Sequence, residues 1–453
     1  MPKISVILPS LNVVAYIGEC IESVMNQTLS DIEILCIDAG STDGTCEIIK
    51  EYAAKDQRIH LICSDKKSYG YQVNLGMDIA KGEYLGIVET DDSIEPDMYE
   101  TLYQAAVEKE LDYVKAGFCT LVTPYEKEQY LLEYPFTDCD KILSYQYFTE
   151  NRLSPDIYIW NGIYKLSFLR EFHIRLNETK GAAFQDCGFR YLTDMNLRRG
   201  MFLSQLFYHY RRDNAASSTY NSRFAEFNLA EYKYIRKRME EDGLTDRARR
   251  AFFARETVMM ALSPYTTYRE HSQPDKAILA VLDEFRQIII KDREDGLLKQ
   301  EEMLPQHWIE MRLFTEKPAS YEDYIEIKAK ADHDLYGDFV KKMADKEQIV
   351  IFGSGKAAKF ALCLMRMNRL ENIVAVCDNN REKWGKSFYG HIILPPEEAV
   401  KNYPQAYYLV ANKKCPAEIL EQLGECGIKK EQTSAYQLPL QAFGSTNLFM
   451  REL

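Results

Sequence analysis

Along the first 120 or so residues, short β-branched and aliphatic runs alternate with stretches in which apolar positions recur every three or four residues. The runs Ile4–Leu8, Ile32–Ile37, Ile59–Cys63, Tyr84–Val88 and Tyr113–Phe118 have strand length and little internal polarity. Parallel strands buried on both faces have this character. Amphipathic helices are expected near Ala15–Met25, Asp43–Ala54, Tyr71–Ala80 and Asp97–Glu108. The alternation predicts an α/β doubly wound sheet whose loops, after successive strands, share one edge. Those loops carry the polar residues: PSLN at Pro9–Asn12, DAGSTDGT at Asp38–Thr45, SDKKSYGYQ at Ser64–Gln72 and TDD at Thr90–Asp92.

Between 123 and 222 the alternation weakens and aromatic residues accumulate. In the run Ile157–Leu169, Trp160 and Asn161 are candidates for contact with an acceptor sugar, with a core indole the competing reading for Trp160. In GAAFQDCGFRYL, Gly181–Leu192, Asp186 stands where a loop enters a helix, as a base or as a cap. Arg211 and Arg212 follow an aromatic strand, and planar guanidinium donors there could clamp a diphosphate. From 223 to 345 the pattern is helical, and the mixed charge of Leu229–Met260 predicts a solvated face rather than a membrane-lying one. An α/β pattern restarts at 349. Gly353, Gly355 and Ala358 fit G-x-G-x-x-A between a strand and a helix, with Asp378 about 20 residues further on, the spacing of a dinucleotide fingerprint.

At 453 residues the chain is too long for one core. Its formal charge of −13 argues against a nucleic-acid partner, which would need a basic face. Eleven cysteines lie without CxxC pairing, so free thiols are expected. The start, MPKISVILPS, lacks the features of a signal peptide, and no run approaches the ~20 apolar residues of a membrane span. A cytoplasmic protein is expected, with room for peripheral membrane contact and for a homo-oligomer.

The chemistry concentrates in EYLGIVETDDSIEPD, Glu83–Asp97, where a buried strand would deliver adjacent carboxylates to its C-terminal end. Such carboxylates repel unless donors or a cation neutralise them. A divalent metal shared with phosphates does this with one or two protein carboxylates, and helix capping is the alternative. Asp38, also at a strand end, could hold a base edge or a ribose.

The ordered pieces SVILPSLN, ILCIDAGSTDGT, YQVNLGMDIAKGEYLGIVETDD, AAFQDCGF and YRRDN resemble the family 2 glycosyltransferases of GT-A fold over roughly residues 1–222. The resemblance implies a nucleotide-diphospho-sugar transferase fold and an inverting enzyme, with a UDP-sugar favoured as donor. It further implies a glycan or lipid-linked acceptor in polysaccharide biosynthesis and a divalent cation, Mn or Mg. Carried over by position, Asp186 would be the base, Asp92 the metal ligand and Asp91 the partner of the ribose or donor sugar. Pro9, Asn12, Asp38 and Asn74 would lie on the donor side, and Arg211 or Arg212 would meet the leaving diphosphate. The chain departs from the family at Ala39, Glu89 and Gln185, where acidic residues of other lengths or identities are usual. A helical middle region at 223–345 and a Rossmann-like α/β domain at 346–453 complete the expected architecture, with nucleotide contact by Gly353, Gly355 and Asp378 as a further expectation. The rival readings are an NAD(P)-dependent oxidoreductase built on that fingerprint and a non-catalytic nucleotide-binding scaffold.

Overall fold

The computed structural model describes residues 2–122, 129–134, 139–150, 158–211, 214, 223–269, 274–368 and 370–438. Contacts divide the chain into two compact units. One comprises Met1–Cys119 with Glu133–Ile325, and the other Thr120–Leu132 with the chain from Glu326 onward.

The larger sheet has nine strands among the described residues: β1 Ile4–Ser10, β2 Ile32–Asp38, β3 Ile59–Cys63, β4 Tyr84–Ile87, β5 Ser93–Ile94, β6 Tyr113–Val122, β7 Gln129–Tyr134, β8 Gly162–Lys165 and β9 Gly200–Arg211. Their order is β3-β2-β1-β4-β8-β6-β9-β5, with β7 on β6. The first four named in that order are parallel. Beyond β4 the pairings β4/β8, β6/β8 and β5/β9 are antiparallel. This is an open α/β sheet with a topological switch between β1 and β4, the place where such sheets hold ligands. Every residue of β1 and β2 is buried, as strands covered on both faces require.

Two cores flank the sheet. One packs Ile17–Met25 and Met98–Glu108 against Ile4, Val6, Leu8, Ile34 and Cys36. The other joins Val73 and Met77 to Ile7, Leu35 and Ile37 across the opposite face, and extends to Phe189, Leu192 and Met195. Ile235, Met239, Phe252, Phe253 and Met260, from helices Phe224–Glu241 and Arg247–Arg269, belong to this second core. The solvated face expected for that stretch is therefore only part of it: Glu231 and Arg255 are buried as well. Helices Lys276–Glu294 and Pro305–Glu316 close a further core around Val258, Phe285, Phe314 and Tyr321.

The second unit holds β10 Ile349–Phe352, β11 Ile373–Cys377, β12 Ser387–Phe388, β13 His391–Leu394, β14 Tyr407–Val410 and β15 Thr433–Ala435, in the order β12-β13-β11-β10-β14-β15. All pairings are parallel except β12/β13. Helices Lys356–Met367, Pro396–Asn402 and Pro416–Glu425 connect them in the Rossmann-like manner. No described helix is long and apolar enough to cross a membrane.

Candidate active site

The loops after β1 and β2 are stitched together by their own polar side chains. Asn12, at φ 55°, adopts the left-handed conformation that asparagine tolerates. Its Oδ1 accepts the Thr42 N–H at 2.8 Å, and its own N–H donates to Ser41 Oγ at 2.8 Å. Asp38 is 1% exposed. Its Oδ2 accepts the Gly40 and Ser41 N–H groups at 2.9 Å each, and its Oδ1 accepts the Ser41 hydroxyl at 2.5 Å. Burial alone would raise this acid, yet the Ser41 hydroxyl and N–H hold it below the usual carboxylate range. Asp38 thus organises the loop after β2. Pro9 is buried, its carbonyl accepting the Thr90 hydroxyl at 2.9 Å.

Glu89–Asp92 form a tight turn after β4, closed by the Asp92 N–H donating to Glu89 O at 3.0 Å. Within it the two aspartates face different ways. Asp92 is 1% exposed, accepting the Arg211 N–H on Oδ1 at 2.7 Å and the Tyr208 hydroxyl on Oδ2 at 2.8 Å. Burial and the neighbouring Asp91 charge push its acid well up, against these two donors. Asp91 is half-buried and accepts Asn214 Nδ2 on Oδ2 at 2.7 Å. Both oxygens of Asp92, the residue expected at a metal, are thus engaged by β9, and Asp91 is the less buried of the two carboxylates. Glu89 accepts the Tyr69 hydroxyl. Burial pushes it to about 8, the Tyr69 bond pulls it down, and the charges of Asp91 and Asp186 add to the rise.

Asp186 lies in the first turn of helix Gln185–Asn196 and is half-buried. Burial raises its carboxyl, opposed by the Arg190 charge, nearby backbone N–H groups and Lys115. Its charge reaches both Glu89 and Tyr69, so these three groups share one environment. The approach to this helix is held on every side. Asn74, 1% exposed, donates to Leu176 O at 2.9 Å and accepts the Leu176 N–H at 3.0 Å. The amide of Asn74, expected on the donor side, is thus matched to the backbone of Leu176, in the loop that leads to the Asp186 helix. Gln185 donates to Thr179 O at 2.8 Å and to Gly181 O at 3.1 Å, so the residue that departs from the family's acid serves as an internal brace. Gly181 in turn exchanges backbone bonds of 2.9 Å with Lys67 and Tyr69 in the loop after β3. Phe184, just before the helix, has φ 64°, a conformation that costs a bulky residue on the order of 1–3 kcal/mol. Its ring packs on the middle-helix core, which offsets that strain.

Arg211 is 5% exposed and already engaged: its Nε donates to Asp91 O at 3.0 Å and its Nη2 pairs with Glu19 at 2.8 Å. It braces the carboxylate turn. Arg212 lies outside the described residues. Trp160 is the middle of a stack between Tyr208, at 4.0 Å, and Tyr158, at 4.5 Å, and is 5% exposed. Asn161 is fully buried and donates to Ala116 O at 3.0 Å. Both acceptor candidates are core residues. Tyr69 and Tyr208, which touch the carboxylates, escaped the sequence reading because isolated tyrosines carry no spacing signal.

In the second unit, Gly353 has φ 114°, and a Cβ there would meet Ala411 O at 2.9 Å. Asp378 accepts the Ser354 N–H at 2.8 Å, the Ser354 hydroxyl at 2.5 Å and the Asn380 N–H at 2.8 Å, with Lys383 at 3.6 Å. The fingerprint residues Gly353, Gly355 and Asp378 therefore meet at one strand edge, and the acid is occupied by its own loops.

The open sheet, with its switch between β1 and β4, is of the GT-A fold. Residues 5–171 match the model of glycosyl transferase family 2. Residues 345–433 match a model described as C2185-like, N-terminal. The chain is 41% identical over 116 residues to the glycosyltransferase GlyG of Streptococcus pneumoniae, covering 25% of this chain and 38% of that protein. It is 29% identical over 220 residues to the uncharacterized glycosyltransferase EpsJ of Bacillus subtilis, covering 47% of this chain and 62% of that protein. It thus spans less than two thirds of either relative. Among solved structures, S. aureus TarS 1–349 in complex with UDP-GlcNAc superposes with a TM-score of 0.54 at 18% identity, over 73% of this chain and 92% of that one, a likeness of fold.

Proposed function

We propose that the protein transfers a sugar from a nucleoside-diphosphate donor to a glycan or lipid-linked acceptor, in bacterial surface polysaccharide synthesis at the cytoplasmic side of the membrane. A UDP-sugar is the favoured donor, and UDP-GlcNAc, the ligand in the TarS structure, is the first to test. The reading is carried by one observation: the carboxylate turn Glu89–Asp92 follows β4 at the switch point of the sheet, within the residues that match the family 2 model.

Asp186 removes the proton from the acceptor hydroxyl as that oxygen attacks the anomeric carbon. Its raised acid suits a base poised nearer neutrality than an ordinary aspartate. The sugar–phosphate bond breaks on the opposite face, so the anomeric centre inverts. Asp38 and Asn12 shape the edge for the nucleoside. Asp91 would hold a divalent cation, Mn or Mg. No described group of three or more acidic, His or Cys residues could hold a metal alone. Held at Asp91, the cation would supply positive charge against the departing diphosphate. Asp92, Tyr208 and Arg211 keep Asp91 oriented.

The test is Asp186→Asn. It should abolish transfer while leaving donor affinity nearly intact, since the amide cannot accept the proton. Equal loss of binding and transfer would remove Asp186 from the role of base.

A further inference from the structure

The helix Phe224–Glu241 touches the helix that carries Asp186, and both lie beyond the residues matched by the family 2 model. The two meet at Gly188, where a Cβ would come within 2.9 Å of the Tyr234 ring and 3.0 Å of Glu231 Oε2. Glycine is what lets the carboxyl of Glu231 rest against the backbone of that first turn. Tyr234 completes the contact by donating its hydroxyl to Arg175 O at 2.8 Å.

Glu231 is 1% exposed. Its Oε1 accepts Asn177 Nδ2 at 2.9 Å, while its Oε2 has no bond of ordinary geometry among the described residues, the Gly188 N–H beside it offsetting the cost of burial only in part. The cations that act on its neighbours are paired with other acids: Arg175 and Arg238, beside Tyr234, with Asp78 at 2.5 Å and Asp242 at 2.7 Å, and Arg190, near Asp186 and Cys187, with Glu256 at 3.1 Å. The other titratable neighbours, Asp186 and the Cys187 thiol, would only add negative charge. An ionised carboxylate without a counter-charge is costly in such surroundings, whereas a carboxylic acid is not.

We propose that Glu231 is a positioning residue for Asp186 that works as a neutral carboxylic acid, bracing the first turn of the Asp186 helix and the Asn177 loop. Burial pushes Glu231 to about 8, which agrees with the geometry. In this form it holds the base in place without a second charge that would raise Asp186 further. The inference rests on the reading of Asp186 as base.

The test compares Glu231→Gln and Glu231→Ala in the full chain by two readouts: the unfolding midpoint across pH, and UDP release from UDP-GlcNAc with Mn²⁺ and water as acceptor. A glutamate that ionises near its ordinary value when unfolded and at about 8 when folded loses stability as pH rises between those values. The wild-type midpoint should therefore fall across that window relative to Glu231→Gln, whose amide has no proton to lose. At neutral pH Glu231→Ala should lose up to about 100-fold in UDP release through misplacement of the base, and Glu231→Gln should recover most of it. A glutamine variant as impaired as the alanine one, and less stable than wild type at every pH, would show that Glu231 works as an anion. Unchanged UDP release in Glu231→Ala would overturn the positioning role. Absence of UDP release from the wild type would count against the donor reading, while the midpoints would still report whether Glu231 is neutral.

Discussion

The Tyr208 hydroxyl donates to Asp92 at 2.8 Å while receiving the Glu89 N–H at 3.0 Å, so one side chain on β9 fixes both ends of the carboxylate turn. Removing it leaves a buried N–H and a buried carboxylate each one partner short. Tyr208→Phe should therefore cost about 1–3 kcal/mol of stability in urea unfolding. Its effect on donor binding should be smaller than that of Asp91→Ala, because Tyr208 only positions the turn.

Trp160 stacks between Tyr208 and Tyr158 inside the first unit. Trp160→Ala should destabilise by about 3–5 kcal/mol through loss of packing, seen as a lower unfolding midpoint. Trp160→Phe should keep transfer to any acceptor the wild type uses. A selective rise in acceptor KM in the phenylalanine variant, without a stability change, would contradict this.

The pH dependence of transfer should reflect the raised acid of Asp186. A base acts only when ionised, so activity falls as pH drops through its value. With that value raised, the acidic limb should lie above the range of an ordinary aspartate. A pH–rate profile flat down to about 4, the ordinary aspartate range, would exclude Asp186 as the titrating base.

Ile235, Met239, Phe252, Phe253 and Met260 complete the core over the Asp186 helix. A chain ending at residue 222 removes all five and should aggregate or unfold. One ending after Ile325 should keep a cooperative transition, which circular dichroism would follow.

The parallel strands were legible because burial on both faces leaves a continuous apolar run, and the family pieces placed Asp186 and the acidic turn. Direction was not legible. Asp91 and Asp92 are identical in sequence terms, and only the arrival of Tyr208 and the Arg211 N–H from β9 turns Asp92 inward. Arg211 reads as a phosphate clamp until Glu19, 192 positions away, takes its guanidinium. Asn74 likewise matches a family segment, but its amide is matched to the Leu176 backbone. Glu231 sat in a charged helix, and nothing in its neighbours along the chain marks the one glutamate that faces Gly188.

The most direct test of the account is calorimetric titration of the full chain with UDP-GlcNAc and with UDP, in the presence and absence of Mn²⁺, on wild type and Asp91→Ala. Metal-dependent binding that disappears in Asp91→Ala is the predicted result. Binding that survives Asp91→Ala unchanged, or a chain that responds to NAD(P) and to no nucleoside diphosphate, would contradict a donor site at the end of β4.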